Sequence, residues 1–105
     1  MNFEMRLNAL ELLISELRHM EPIQRLQTYS TIKTFLDEIE AYVIEHESEN
    51  LDHGNAGIYI AEMYSPLETI VGLDNNGHEE SSNFGWLETG IDKLRSVHCF
   101  NIYKY

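Results

Sequence analysis

Residues 44 to 54 read IEHESENLDHG and gather Glu45, His46, Glu47, Glu49, Asp52 and His53 into nine positions. Imidazole and carboxylate side chains this close could hold a divalent metal, or move protons as a catalytic cluster. They could equally be the solvated acidic end of a helix, or an acidic patch that faces a partner. A helical zinc site needs two histidines at i and i+4, as in HExxH. Here the histidine after His46 is His53, seven positions on. Glu45 and Glu49 share a helical face but repel each other. A hard cation could use Glu49 and Asp52, yet the alternating acids and central glycine of an EF-hand loop are absent. A metal-dependent enzyme built on His46, Glu49, Asp52 and His53 is an alternative to the non-enzymatic expectation. The acids also fall at the C-terminal end of the preceding helical pattern, where the macrodipole favours cations. Something other than local helix stability accounts for them.

Other catalytic arrangements are equally thin. His98 and Cys99 are neighbours, and in an extended segment neighbours point to opposite faces, so they make no nucleophile–base pair. Cys99 is the chain's single cysteine and reads as a packed thiol. Ser81 and Ser82 lie in a polar stretch without a G-x-S-x-G elbow. There is no phosphate loop and no dinucleotide fingerprint. No catalytic residue, metal or cofactor is expected, and the chain reads as a non-enzyme.

Charge is the more informative signal. The 105-residue chain has a formal net charge of −11, and that charge is segmental. Residues 1–33 hold four acids and four bases; residues 34–92 hold fourteen acids and neither lysine nor arginine; residues 93–105 hold three bases and no acid. Soluble surfaces normally intersperse both signs. Added acids favour solubility, which is the plain reading, but a concentrated negative surface also steers cationic partners. Direct nucleic-acid binding needs clustered lysine and arginine and is not expected. Tyr42, Tyr59, Tyr64, Phe84 and Trp86 stand within or beside the acidic stretch. Such aromatics are most often half-buried core, yet tyrosine and tryptophan among acids also resemble an interface for an arginine-rich protein.

The elements that position these residues follow from apolar spacing. Phe3, Leu7, Leu10, Ile14 and Leu17 form one helical stripe over about residues 2–19, widened by Leu13 and Met20 on one side and by Met5 and Leu12 on the other. Pro22 restarts the chain, and Leu26, Tyr29, Ile32, Leu36, Ile39 and Val43 mark a second helix over about 22–47. The short connection predicts a long antiparallel hairpin. Beyond residue 50 the pattern weakens. NLDHGNAG reads as a loop, GIYIAEMY suits either strand or helix, and SPLE at 65–68 reads as a helix start with a capping box. DNNGHEESSN reads as a polar loop. Phe84, Leu87, Ile91 and Leu94 predict a further helix, weakened by Gly85 and Gly90, and HCFNIYKY predicts a short terminal strand.

The expectation is one mainly α domain over residues 1–105, with an α+β alternative carrying a small antiparallel sheet in 57–105. The N-terminal pattern is interrupted by Glu4, Glu11 and Glu16, unlike a signal peptide, so a mature cytoplasmic protein with no membrane association is expected. A lone cysteine suits that reducing compartment. The function expected is an acidic protein-binding inhibitor, of immunity, antitoxin or anti-defence type. It would mimic nucleic acid towards a basic partner such as a nuclease. Its candidate contacts are Asp37, Glu38, Glu45, Glu49, Asp52, Tyr59, Glu62, Tyr64, Glu79, Glu80, Trp86 and Glu88. The wide apolar face of the first helix also suits pairing with its own copy, so an oligomerising structural or regulatory module is the second class.

Overall fold

The stripe Phe3, Leu7, Leu10, Ile14 and Leu17 is fully buried, and it winds the chain into α1 (Phe3–Leu17). This computed structural model describes residues 3–45 and 53–103. After Leu17 the amides of Arg18, His19 and Met20 bond to the carbonyls of Ser15, Glu16 and Leu17, a tighter turn that stops the helix two residues short of the expected end. Pro22 then opens α2 (Pro22–Glu45). The Glu21 amide donates to Gln24 Oε1 at 3.0 Å, half of a capping box that fixes where the second helix begins.

The Phe3 and Tyr42 rings lie 5.2 Å apart, and Arg6 Nε stands 3.6 Å from Glu38 Oε2. The start of α1 therefore packs on the end of α2. Ile32, Leu36, Ile39 and Val43 are buried as their spacing predicts. Leu26, expected in the same stripe, is 47% exposed. Arg25 takes the inward place at that level: its Nε donates to the Met20 carbonyl at 3.2 Å and its Nη1 to the Ile70 carbonyl at 3.4 Å.

The second half is helical where the sequence was ambiguous. α3 runs His53–Val71. It takes up GIYIAEMY and the last residues of the expected loop, and it passes through Pro66 without restarting. The reason is packing. Ala56, Ile60, Met63, Leu67 and Ile70 recur at helical spacing on both sides of the proline, and all are buried. An interior proline costs about 3 kcal/mol. Burying each of several large apolar side chains contributes about 1.5–3 kcal/mol, which outweighs it. Ile58 and Ile60, which strand alternation would place on one face, differ completely in burial.

Gly72, at φ 90°, ends α3. Its amide bonds to Thr69 O and that of Leu73 to Glu68 O, the paired bonds of a Schellman cap. The following loop is held by Asn83, a fully buried side chain on α4: Asn76 Nδ2 donates to Asn83 Oδ1 at 2.7 Å.

α4 (Glu80–Tyr103) buries Phe84, Leu87, Ile91 and Leu94 and continues over residues 98–103, the described part of the segment expected as a strand. No strand occurs among the described residues. A β-segment needs a neighbouring strand to complete its hydrogen bonds, whereas a helix supplies its own. The small-sheet alternative fails for the same reason. One core draws on all four helices, and α1 packs on α2, α2 on α3, α3 on α4 and α4 back on α1. No helix among the described residues is long and apolar enough to cross a membrane.

Candidate partner-binding surface

Folding pairs the four arginines with carboxylates of other helices. Arg6 of α1 pairs with Glu38 of α2, and Arg18 reaches Glu88 of α4 at 2.6 Å. Arg25 of α2 pairs with Glu80 of α4. Arg95 of α4 makes a two-point contact with Glu11 of α1, Nη1 to Oε2 at 2.8 Å and Nη2 to Oε1 at 3.2 Å, and Nη2 also donates to Asn8 Oδ1. The Arg95 hydrogen bonds hold the Glu11 carboxyl below its ordinary pKa. The Arg18 guanidinium further lies 4.3 Å from the centroid of the buried Phe84 ring. Three expected contact residues, Glu38, Glu80 and Glu88, are thus paired with arginines within the molecule.

A different pattern holds along the seam between α2 and α3. The Tyr64 hydroxyl donates to Asp37 Oδ1 at 3.2 Å, and the Tyr29 hydroxyl donates to Glu68 Oε1 at 3.3 Å. The two bonds cross the seam in opposite directions. Burial, first, and then the Asp37 carboxylate push the Tyr64 pKa up to about 12, with Glu40 adding to the effect. Burial and Glu68 raise that of Tyr29 as well. Among the described residues, Asp37, Glu40 and Glu68 have no ion pair. The exposed Glu45, at the end of α2, and Glu79, in the loop before α4, have none either.

A third group forms where α3 meets α4. Tyr59, Glu62 and Trp86, all expected contacts, line one groove of about 220 Å³ together with Met63, Thr89, Gly90 and Lys93. The Lys93 ammonium sits 5.2 Å from the centroid of the Tyr59 ring. The His78 ring meets Trp86 edge-on, at 4.8 Å and 89°. Glu62 is exposed and has no ion pair among the described residues. Sequence reasoning missed Thr89, Gly90, Lys93 and His78. The signal for the first three was present: Trp86, Thr89, Gly90 and Lys93 recur at helical spacing beside the buried stripe of α4.

Of the remaining expected contacts, Glu49 and Asp52 lie outside the described residues, as does most of the 45–53 cluster. Among the described residues no group of three or more histidine, cysteine, aspartate or glutamate side chains could hold a metal ion. His98 and Cys99 lie on the α4 backbone, and their side chains are outside the description.

No protein-family model, curated protein or solved structure matches the chain.

Proposed function

We propose that this chain is a non-enzymatic inhibitor that docks carboxylates onto a cationic site of another protein. The target class is a nuclease or other nucleic-acid-handling protein, whose phosphate-binding site is basic by necessity. The supporting observation is the division of charge. The arginines turn to Glu11, Glu38, Glu80 and Glu88, while Asp37, Glu40 and Glu68 along α2 and α3, and Glu62 in the groove, make no ion pair among the described residues. In a chain of net charge −11 these carboxylates add to a negative field that attracts a cationic partner. The Tyr29 and Tyr64 rings beside them add rigid apolar area, which suits a contact that excludes water. The reading places the protein in the cytoplasm, a compartment that suits its single thiol.

The test is capture on the immobilised protein from its native cell in about 50 mM salt, where the Debye length is still longer than at physiological strength. A nucleic-acid-handling protein displaced from the column by added DNA or RNA supports the reading. So does loss of that capture in the combined Asp37→Asn, Glu40→Gln and Glu68→Gln variant. Captured proteins indifferent to nucleic acid contradict it.

One observation favours a second reading, an oligomerising helical module. Met5 and Leu12, one heptad apart on α1, are 55% and 60% exposed, so the side of that helix away from the core carries apolar area. Sedimentation at micromolar concentration decides: a dimer lost on Leu12→Glu supports it, and a strict monomer removes it.

A further inference from the structure

We infer that the groove between α3 and α4 is a pocket for one arginine side chain of a protein partner, with Lys93 on its wall as the competing cation in the free protein. The inference rests on the reading of a cationic partner and gives that partner a specific chemistry.

The groove has the parts that a guanidinium needs. Its volume of about 220 Å³ falls below the ~300–1,000 Å³ of pockets for drug-sized ligands, and matches a single long side chain better. Gly90 of α4 lies directly against the Met63 side chain of α3, and the two together line the groove where the helices meet. Trp86 is 45% exposed, and the His78 edge-on contact holds its ring, so an aromatic face is in place before any ligand arrives. Glu62 lines the same groove with an exposed carboxylate that makes no ion pair among the described residues. A planar guanidinium can stack on an indole and meet a carboxylate with two parallel hydrogen bonds; an ammonium can do neither.

Lys93 shows that the site accepts a cation. Its ammonium lies over the Tyr59 ring, and among the described residues it has no carboxylate partner. A cation–π contact at an exposed site is weak, so a group that also pairs with Glu62 displaces it. Lys93 then swings out on its flexible stem to solvent. The same lysine raises the threshold for binding and favours arginine over weaker cations. An anionic ligand would meet Lys93 but also Glu62 and two aromatic faces, which repel it.

The chain contains one tryptophan, so its fluorescence reports on this groove alone. The experiment titrates the full chain with hexa-arginine, hexa-lysine and hexa-glutamate peptides, following Trp86 emission and calorimetric heat in parallel. Hexa-arginine is expected to bind with a change in Trp86 emission, and more tightly than hexa-lysine. Glu62→Gln should weaken it about tenfold through loss of the charge-assisted pair. Lys93→Met should strengthen it about threefold by removing the competing cation. Circular dichroism checks that both variants, substituted at exposed positions, keep their helices. Calorimetric binding of hexa-arginine without a Trp86 response, or without loss in Glu62→Gln, overturns the pocket and leaves the cationic-partner reading standing on the α2–α3 seam. Absence of calorimetric binding by either basic peptide overturns both. Preference for hexa-glutamate overturns both as well.

Discussion

A Cβ placed on Gly90 of α4 would stand 2.7 Å from Cγ of Met63 on α3 and 2.8 Å from its Sδ. Both distances are shorter than side chains tolerate, so the missing methyl is what lets these two helices pack as closely as they do. Met63 is buried, and its side chain would have to shift to admit that methyl.

Gly90→Ala is therefore expected to destabilise, although alanine is the better helix former. Overpacking a core costs about 1–3 kcal/mol and the propensity gain returns roughly 1 kcal/mol, which leaves a net loss of about 1 kcal/mol. Gly85 on the same helix has nothing within 4 Å of its would-be Cβ. Gly85→Ala should stabilise by about 0.5–1 kcal/mol. Urea midpoints of the two variants read the contrast, and equal signs would contradict this packing.

The Tyr64 hydroxyl gives the protein an alkaline limit. Its folded pKa of about 12 lies above the ordinary value of 10.0, so folding favours the neutral phenol. Its stabilising contribution is complete below pH 10 and is lost as the pH rises from 10 towards 12. Unfolding midpoints should fall across that window. Tyr64→Phe should flatten the fall but not abolish it, because the Tyr29 pKa is raised too.

Arg25 and Arg18 both pair with acids of α4, but they should differ in worth. The Arg25 side chain is only 13% exposed and also serves the carbonyls of Met20 and Ile70. Arg25→Ala leaves those groups without a donor and should cost about 2–3 kcal/mol. Arg18 and Glu88 are each about half exposed, and Arg18→Ala should cost about 1 kcal/mol or less. Thermal unfolding in parallel measures the ratio.

Asn83 is a fully buried polar side chain, and it holds the α3–α4 loop through Asn76. Asn83→Ala strands the Asn76 amide and should cost about 1–3 kcal/mol. Amide exchange at Gly77 and His78 should quicken in that variant before the rest of the chain does. Both amides bond to side chains of this loop, to Asn75 Oδ1 and Asn76 Oδ1.

The helices were legible where burial is one-sided. The stripes Phe3 to Leu17, Ile32 to Val43 and Phe84 to Leu94 have a period close to 3.6, and each is buried as written. Pro66 and the tail from His98 misled because local preference there opposes the tertiary outcome: packing carries α3 through its proline, and the β-favouring tail has no strand beside it. The candidate surface was legible only as a set of residue types. Tyr59, Glu62 and Trp86 do share a groove, but Arg25 meets Glu80 across 55 positions of sequence, and Arg95 meets Glu11 across 84. Charge segments in a chain do not say which acids a fold will neutralise. Gly90, read as a helix-weakening residue, proved to be the close contact between α3 and α4.

The central claim is that a cationic protein makes use of the carboxylates this fold leaves unpaired. Affinity for the captured partner, measured from about 50 mM to about 500 mM salt, tests it most directly, because exposed charge pairs are screened over that range. The account predicts a fall of about a hundredfold or more, carried largely by slower association. A change of less than about threefold over that range, where screening should be strong, would contradict it.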